Sequence, residues 1–149
     1  MPPHSKRIAL VLLLAITAIL MAGCAKDSIS WVDEGASYTV ADAESLARRL
    51  ADDQNSGTPV SQAYDLRQAA LADLRGNGDD ASKLADLLTR VFVNDVRSVP
   101  FYTEAARVDG VDTWLVIESW GPSGGTLEST RLWVFERATG DVILATAVN

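Results

Sequence analysis

Between Thr39 and Phe92 apolar residues recur every three or four positions, and from Val99 to Val148 they recur at every second position. The two periods place a set of helices ahead of a set of strands and fix which side chains share a face. Ala43, Leu46, Ala47 and Leu50 predict a first helix, capped by Thr39 or Asp42 and ended by Asn55-Ser56-Gly57. Thr58 followed by Pro59 reads as an N-cap with proline at the first helical position. The second helix then runs to near Arg75, with Val60, Ala63, Tyr64, Ala70, Leu71 and Leu74 on its apolar side. Gly76-Asn77-Gly78 stops it, and Asp79 or Asp80 caps a third helix with the stripe Leu84, Leu87, Leu88, Val91 and Phe92.

Strands are predicted from Val99, with Pro100 at the start, to near Arg107; from Asp112 to Trp120; from near Leu127 to Arg137; and from Val142 to Val148. Asp109-Gly110, Gly121 to Gly125 and Thr139-Gly140-Asp141 are the turns between them. Short turns make consecutive strands antiparallel neighbours. The expected fold is therefore α+β, with about three N-terminal helices on one face of a four-stranded antiparallel meander.

The start of the chain obeys a different rule. Lys6 and Arg7 precede Ile8 to Met21, where Thr17 is the only polar residue, and the run closes on Leu20-Met21-Ala22-Gly23-Cys24. A basic start, an apolar stretch and small residues at a cut are the layout of an export signal. Ala22, Gly23 and Cys24 resemble the lipobox of bacterial lipoproteins, with Met21 standing where leucine is usual. The resemblance covers about the first 25 residues. It implies cleavage before Cys24, a diacylglyceryl group on its thiol, acylation of the new amino terminus, and a place on the extracytoplasmic face of the cell membrane. In a Gram-negative source that membrane can be the outer one. The alternatives are a retained membrane-spanning helix, since Ile8 to Ala25 is uncharged, which leaves the position of Cys24 to coincidence, or a buried structural cysteine, which requires residues 1–23 to belong to the fold.

Residues 1–23 are thus expected to be a signal peptide, 24–38 a lipidated cysteine and flexible tether, and 39–149 a single α+β domain. Fully extended, the fourteen residues from Ala25 to Tyr38 would reach about 45–50 Å. Trp31 within the tether lies either among lipid headgroups or back against the body.

Export also strips the chain of chemistry. His4, the only histidine, leaves with the signal, and the only cysteine becomes a thioether. No Ser-His-Asp or Cys-His arrangement, histidine- or thiolate-ligated zinc, or thiol redox reaction remains within the mature chain. No catalytic residue, cofactor or metal is expected. With Lys6 and Arg7 removed, 11 basic residues face 20 acidic ones, a net charge of −9 that disfavours nucleic acid and electrostatic docking on anionic lipid. Glu118 and Glu136 fall near opposite ends of a predicted hairpin, about 20 Å apart, too far for a glycosidase pair. Gly76-Asn77-Gly78-Asp79-Asp80 lacks the alternating acids of a calcium loop and reads as a turn and cap. Ser119, Ser123 and Ser129 have no histidine, and Gly121 to Gly125 opens no helix that would cradle a phosphate.

The second and third predicted strands carry large apolar side chains on both faces: Leu115 and Ile117 against Trp114, Val116 and Trp120, and Leu132 and Val134 against Trp133 and Phe135. A half-exposed antiparallel sheet alternates apolar with polar instead. If the aliphatic face meets the helices, the other presents Trp114, Trp120, Trp133, Phe135 and Arg131, edged by Glu118 and Arg137, a composition suited to recognition. Otherwise a helix, the tether with Trp31, or the Gly121 to Gly125 loop covers it.

The hairpin from Leu132 to Leu144, turning at Thr139-Gly140-Asp141, resembles the closing hairpin of small periplasmic PepSY-type domains, although three helices precede these strands where a PepSY unit has one. Helices over a curved sheet also resemble an NTF2-like cone. Neither likeness carries a function. The chain is expected to be a membrane-anchored, non-catalytic interaction module whose aromatic face takes a protein or peptide partner; the alternative is a small-ligand carrier or sensor with a pocket between helices and sheet.

Overall fold

The computed structural model describes residues 28–54 and 57–148, so the expected signal peptide and Cys24 lie outside the described residues. In chain order the elements are β1 (Ser30–Val32), β2 (Ser37–Tyr38), α1 (Val40–Asp52), a single 3-10 turn (Val60–Gln62), α2 (Ala63–Arg75), α3 (Asp79–Val91), β3 (Ser98–Val108), β4 (Val111–Trp120), β5 (Ser129–Glu136) and β6 (Val142–Val148). β3 to β6 form the expected antiparallel run, with the β3–β4 turn at Asp109-Gly110, both at positive φ.

Two features correct the expected four-stranded meander with its helices on one face. The sheet has six strands and is mixed, because β1 and β2 both pair in parallel with β3, Ser30 opposite Tyr102 and Ser37 opposite Arg107. Both come from the segment that the sequence assigns to the tether. Short strands with too few residues to show a period are invisible to pattern, but Ile29 is buried in the core and Trp31 packs against it. The helices, moreover, divide between the faces. Ala43 and Ala47 of α1 pack on Ala106, Val108, Leu115, Ile117, Leu132 and Val134, while α2 and α3 cover Ala105, Trp114, Val116 and Phe135. Apolar side chains on both sides of β4 and β5 are what a sheet sandwiched between two helical layers requires.

Local signals explain the helix starts. Thr39 caps α1 in a reciprocal capping box: its hydroxyl accepts from the Asp42 N–H while the Asp42 carboxylate accepts from the Thr39 N–H. Pro59 bridges to Thr126 instead of entering a helix, so α2 begins at Ala63 after the 3-10 turn. Gly78, at φ +104, precedes the first residue of α3, Asp79.

The parallel strands are secured by a carboxylate. Glu104 on β3 is buried and accepts from the Ala36 N–H at 2.9 Å, the Tyr102 hydroxyl at 2.7 Å and the Tyr38 hydroxyl at 3.2 Å. Burial, then the hydrogen bond to Glu104 and its charge, push the Tyr102 hydroxyl far above its ordinary pKa; burial and the same charge raise Tyr38. Among the described residues no helix is long and apolar enough to cross a membrane.

Candidate binding site

The antiparallel register sets Glu118 of β4 directly opposite Arg131 of β5, with Trp120 and Trp133 two residues along their own strands on the same side of the sheet. Glu118 is almost fully buried. Its Oε1 accepts from Arg131 Nε at 3.0 Å, Arg131 Nη2 at 2.6 Å and Trp133 Nε1 at 2.8 Å, and its Oε2 from Arg67 Nη1 at 3.3 Å. Arg67 arrives from α2, where it occupies the buried stripe between Ala63 and Leu71 and is only 2% exposed.

Asp95, in the turn that follows α3, completes the network. It accepts from Arg131 Nη2 at 3.2 Å, the Ser98 hydroxyl at 2.7 Å and the Arg97 N–H at 3.0 Å. Burial alone would raise its pKa, but the Arg97 N–H, the Ser98 hydroxyl and the Arg67 and Arg131 guanidiniums outweigh it and hold the carboxyl below its usual value. Two guanidiniums therefore face two carboxylates, and the cluster is neutral as a whole. Such a network rewards completeness, since loss of one member strands a buried charge.

Aromatic rings frame it. The Arg131 guanidinium carbon lies 5.2 Å from the Trp120 ring centre and 5.4 Å from that of Trp133, and the Arg67 guanidinium lies 5.3 Å from Phe92. Phe92 in turn meets Trp133 at 4.9 Å and Phe135 at 6.3 Å between ring centres. Between this floor and the 91–97 segment opens a groove of about 390 Å³, lined by Val91, Val93, Asn94, Arg97, Trp120 and Arg131 among others.

Of the five residues predicted to form a binding face, Arg131 and Trp120 line this groove, and Trp133 packs beside it against Arg131 and Phe92. Trp114 and Phe135 are buried beneath α3 instead. The indole N–H of Trp114 donates to Asp80 at 3.1 Å, and Arg137 pairs with the same carboxylate at 2.8 Å, which seals that side. Leu71, Leu74, Leu84, Leu88 and Phe135 fill the space between helices and sheet. Sequence reasoning passed over Arg67 and Asp95. For Arg67 a signal existed, because a charged residue in the middle of an apolar stripe demands a buried partner; Asp95, in a turn, offered none.

Donors outnumber acceptors here. Arg67 Nη2 and Trp120 Nε1 are buried with no hydrogen-bond partner among the described residues. The exposed Arg97 side chain at the groove's edge has no acidic partner among the described residues. With exposed Arg97 at its edge and Trp120 and Arg131 in its floor, the cleft can hold acceptor oxygens such as carbonyls and carboxylates. Both acids are committed to guanidiniums, so neither is poised to move a proton. No group of three or more acids among the described residues could hold a metal ion. The chain matches no known family, no curated protein and no solved structure.

Proposed function

We propose that this chain is a lipid-anchored, extracytoplasmic binding module that takes a protein or peptide partner in the groove between the 91–97 segment and the Trp120–Arg131 floor, without catalysis. The anchor rests on the lipobox-like Ala22-Gly23-Cys24 after an apolar run. The recognition role rests above all on one observation: an arginine fixed between two tryptophans by a buried carboxylate, with the exposed Arg97 side chain at the edge of the same groove. Rigid aromatic and arginine anchors of this kind dominate binding energy at interfaces. A groove of about 390 Å³ accepts a few residues of an extended peptide rather than a whole domain face.

A photo-crosslinking side chain at Asn94, with the same group at Val111 as control, tests the site in intact cells. The expected product forms from Asn94 alone and disappears with Arg97→Glu. Equal labelling from both positions would remove the groove from consideration. Membrane fractionation of Cys24→Ala tests the anchor separately: a variant that stays in the membrane with unchanged gel mobility is not lipid-anchored through Cys24.

A further inference from the structure

We infer that the end of the sheet where β1 and β3 begin lies against the bilayer, with Val93, Val96 and Tyr64 in the headgroup region and Arg97 at the edge of that face, where the groove opens. The inference rests on lipidation of Cys24. Its first support is chain length. Ile29 is already core, so only residues 25–28 separate it from the cysteine. Five residue steps reach at most about 17 Å, a third of the span that a tether running to Tyr38 would allow. The domain is held close, and with a defined end towards the lipid.

That end is identified by register. β1 runs parallel to β3, Ser30 opposite Tyr102, so both start on the same side. β4 finishes there, Trp120 opposite Ser98, and the Gly121 N–H donates to the Arg97 carbonyl at 3.2 Å. The 121–125 loop, the 3-10 turn and the start of α2 join them, since the Val60 N–H donates to the Gly125 carbonyl at 2.9 Å. The C-terminus of α3 and the 91–97 segment complete the surface.

Exposed apolar side chains gather on this end. Val93 is 72% exposed, Tyr64 53%, Val96 51% and Val91 45%. Val96, Tyr64 and Arg97 line one shallow depression beside the glycine loop. Apolar tips with a tyrosine and an arginine match the chemistry of a bilayer interface, where aromatic hydroxyls and guanidiniums settle at headgroup depth. Asp52, Asp53 and Glu128, on the α1 side of the same end, would keep that side in water and tilt the domain onto its valines. The processed chain's net charge of −9 opposes approach to anionic lipid, but that repulsion is screened beyond about 8 Å at physiological salt, and the acyl anchor, within about 17 Å, does not depend on charge. Val111, Val142 and Ile143, also exposed, sit at the other end of the strands and act as internal controls.

Because acylation consumes the only native cysteine, single cysteines introduced at exposed positions can be labelled uniquely. The acylated full chain, carrying an environment-sensitive fluorophore at Val93→Cys, Val96→Cys, Val111→Cys or Val142→Cys, is reconstituted in phosphatidylcholine vesicles containing headgroup-quencher lipid. Labels at 93 and 96 are expected to shift to the blue and be quenched several-fold more than those at 111 and 142, with little change on adding salt. Mass spectrometry of the same samples reports the acyl groups. Acylated protein whose four labels are equally wet would overturn the docking face and leave the anchor standing. A mature chain with an unmodified Cys24 would take down the anchor, and the docking face with it.

Discussion

Glu118→Gln removes one charge and almost no volume, and it should unfold the protein more readily than any surface change. In the native state Glu118 Oε1 takes three donors and Oε2 a fourth. With the amide in place, one oxygen becomes an NH2 facing a guanidinium, and Arg67, 2% exposed, loses its ion-pair partner and keeps only the Ser98 hydroxyl at 3.3 Å as an acceptor. Breaking a buried pair from one side costs about 3–5 kcal/mol. Arg131 is more exposed, at 28% for its side chain, and can turn to water, so the lower figure of about 3 kcal/mol is expected. At roughly 3–5 °C per kcal/mol for a domain of this size, the midpoint should fall by about 10–15 °C. Equilibrium urea unfolding followed by tryptophan fluorescence measures it directly, since Trp120 and Trp133 flank Arg131. The double change Arg67→Met with Glu118→Leu takes out one charge of each sign, leaves Arg131 paired with Asp95, and should cost less than Glu118→Gln alone. A Glu118→Gln variant within about 1 kcal/mol of the parent, or a double variant worse than the sum of its parts, would refute the buried network as the element that holds α2 to the sheet.

Asp95→Asn should destabilise at neutral pH. Because Asp95 titrates below its ordinary value in the folded state, its contribution is complete above about pH 4 and is lost as pH falls through the lower folded-state value, so parent and variant should converge in acid urea melts. Tyr102→Phe deprives the buried Glu104 of its 2.7 Å donor and should cost about 1–3 kcal/mol. The raised tyrosine pKa predicts stability that is full below about pH 10 and declines above it, a decline that should be shallower in Tyr102→Phe when alkaline unfolding is followed by circular dichroism. Gly35→Ala would drive a methyl group into the Glu104 carboxylate and the Ala105 carbonyl, so it should lower the thermal midpoint more than Gly57→Ala, where only the positive φ of +52 is unfavourable.

Much of this was legible in the sequence. The three helices and the four long strands follow from periodicity and turn chemistry, and β6 was bounded as it forms, Val142–Val148. The Thr39 cap was readable because its partner is local. What escaped notice was non-local. β1 and β2 total five residues and exist only because β3 offers an open edge to pair with. The split of helices between the faces was encoded in β4 and β5, whose two-sided apolarity demanded two covers, while the order of elements alone gave no hint that α1 crosses to the opposite side. Arg67 was hidden because its partner lies on a strand 51 residues away. Tyr64 erred the other way: its spacing suits an apolar face, yet it is more than half exposed.

A sheet covered on both sides has little left to recognise with except its ends and edges. Trp114 and Phe135 are spent on the core, and of the aromatic residues on β4 and β5 Trp120 and Trp133 reach the surface, towards the end where β4 finishes and β5 begins. The same strand ends carry Arg131 and Arg97, and the chain from Cys24 arrives on that side as well. If Cys24 carries the anchor, the chain to Ile29 spans at most about 17 Å and keeps this groove close to the membrane. Any partner that uses it must then approach along the membrane rather than from the bulk, and anchoring both partners to one surface would raise their effective concentration without any new contact. Affinity measured between soluble pieces should therefore fall well short of that measured with both held on one bilayer, and the gap should close when the chain from Cys24 to Ile29 is lengthened by a long flexible insert.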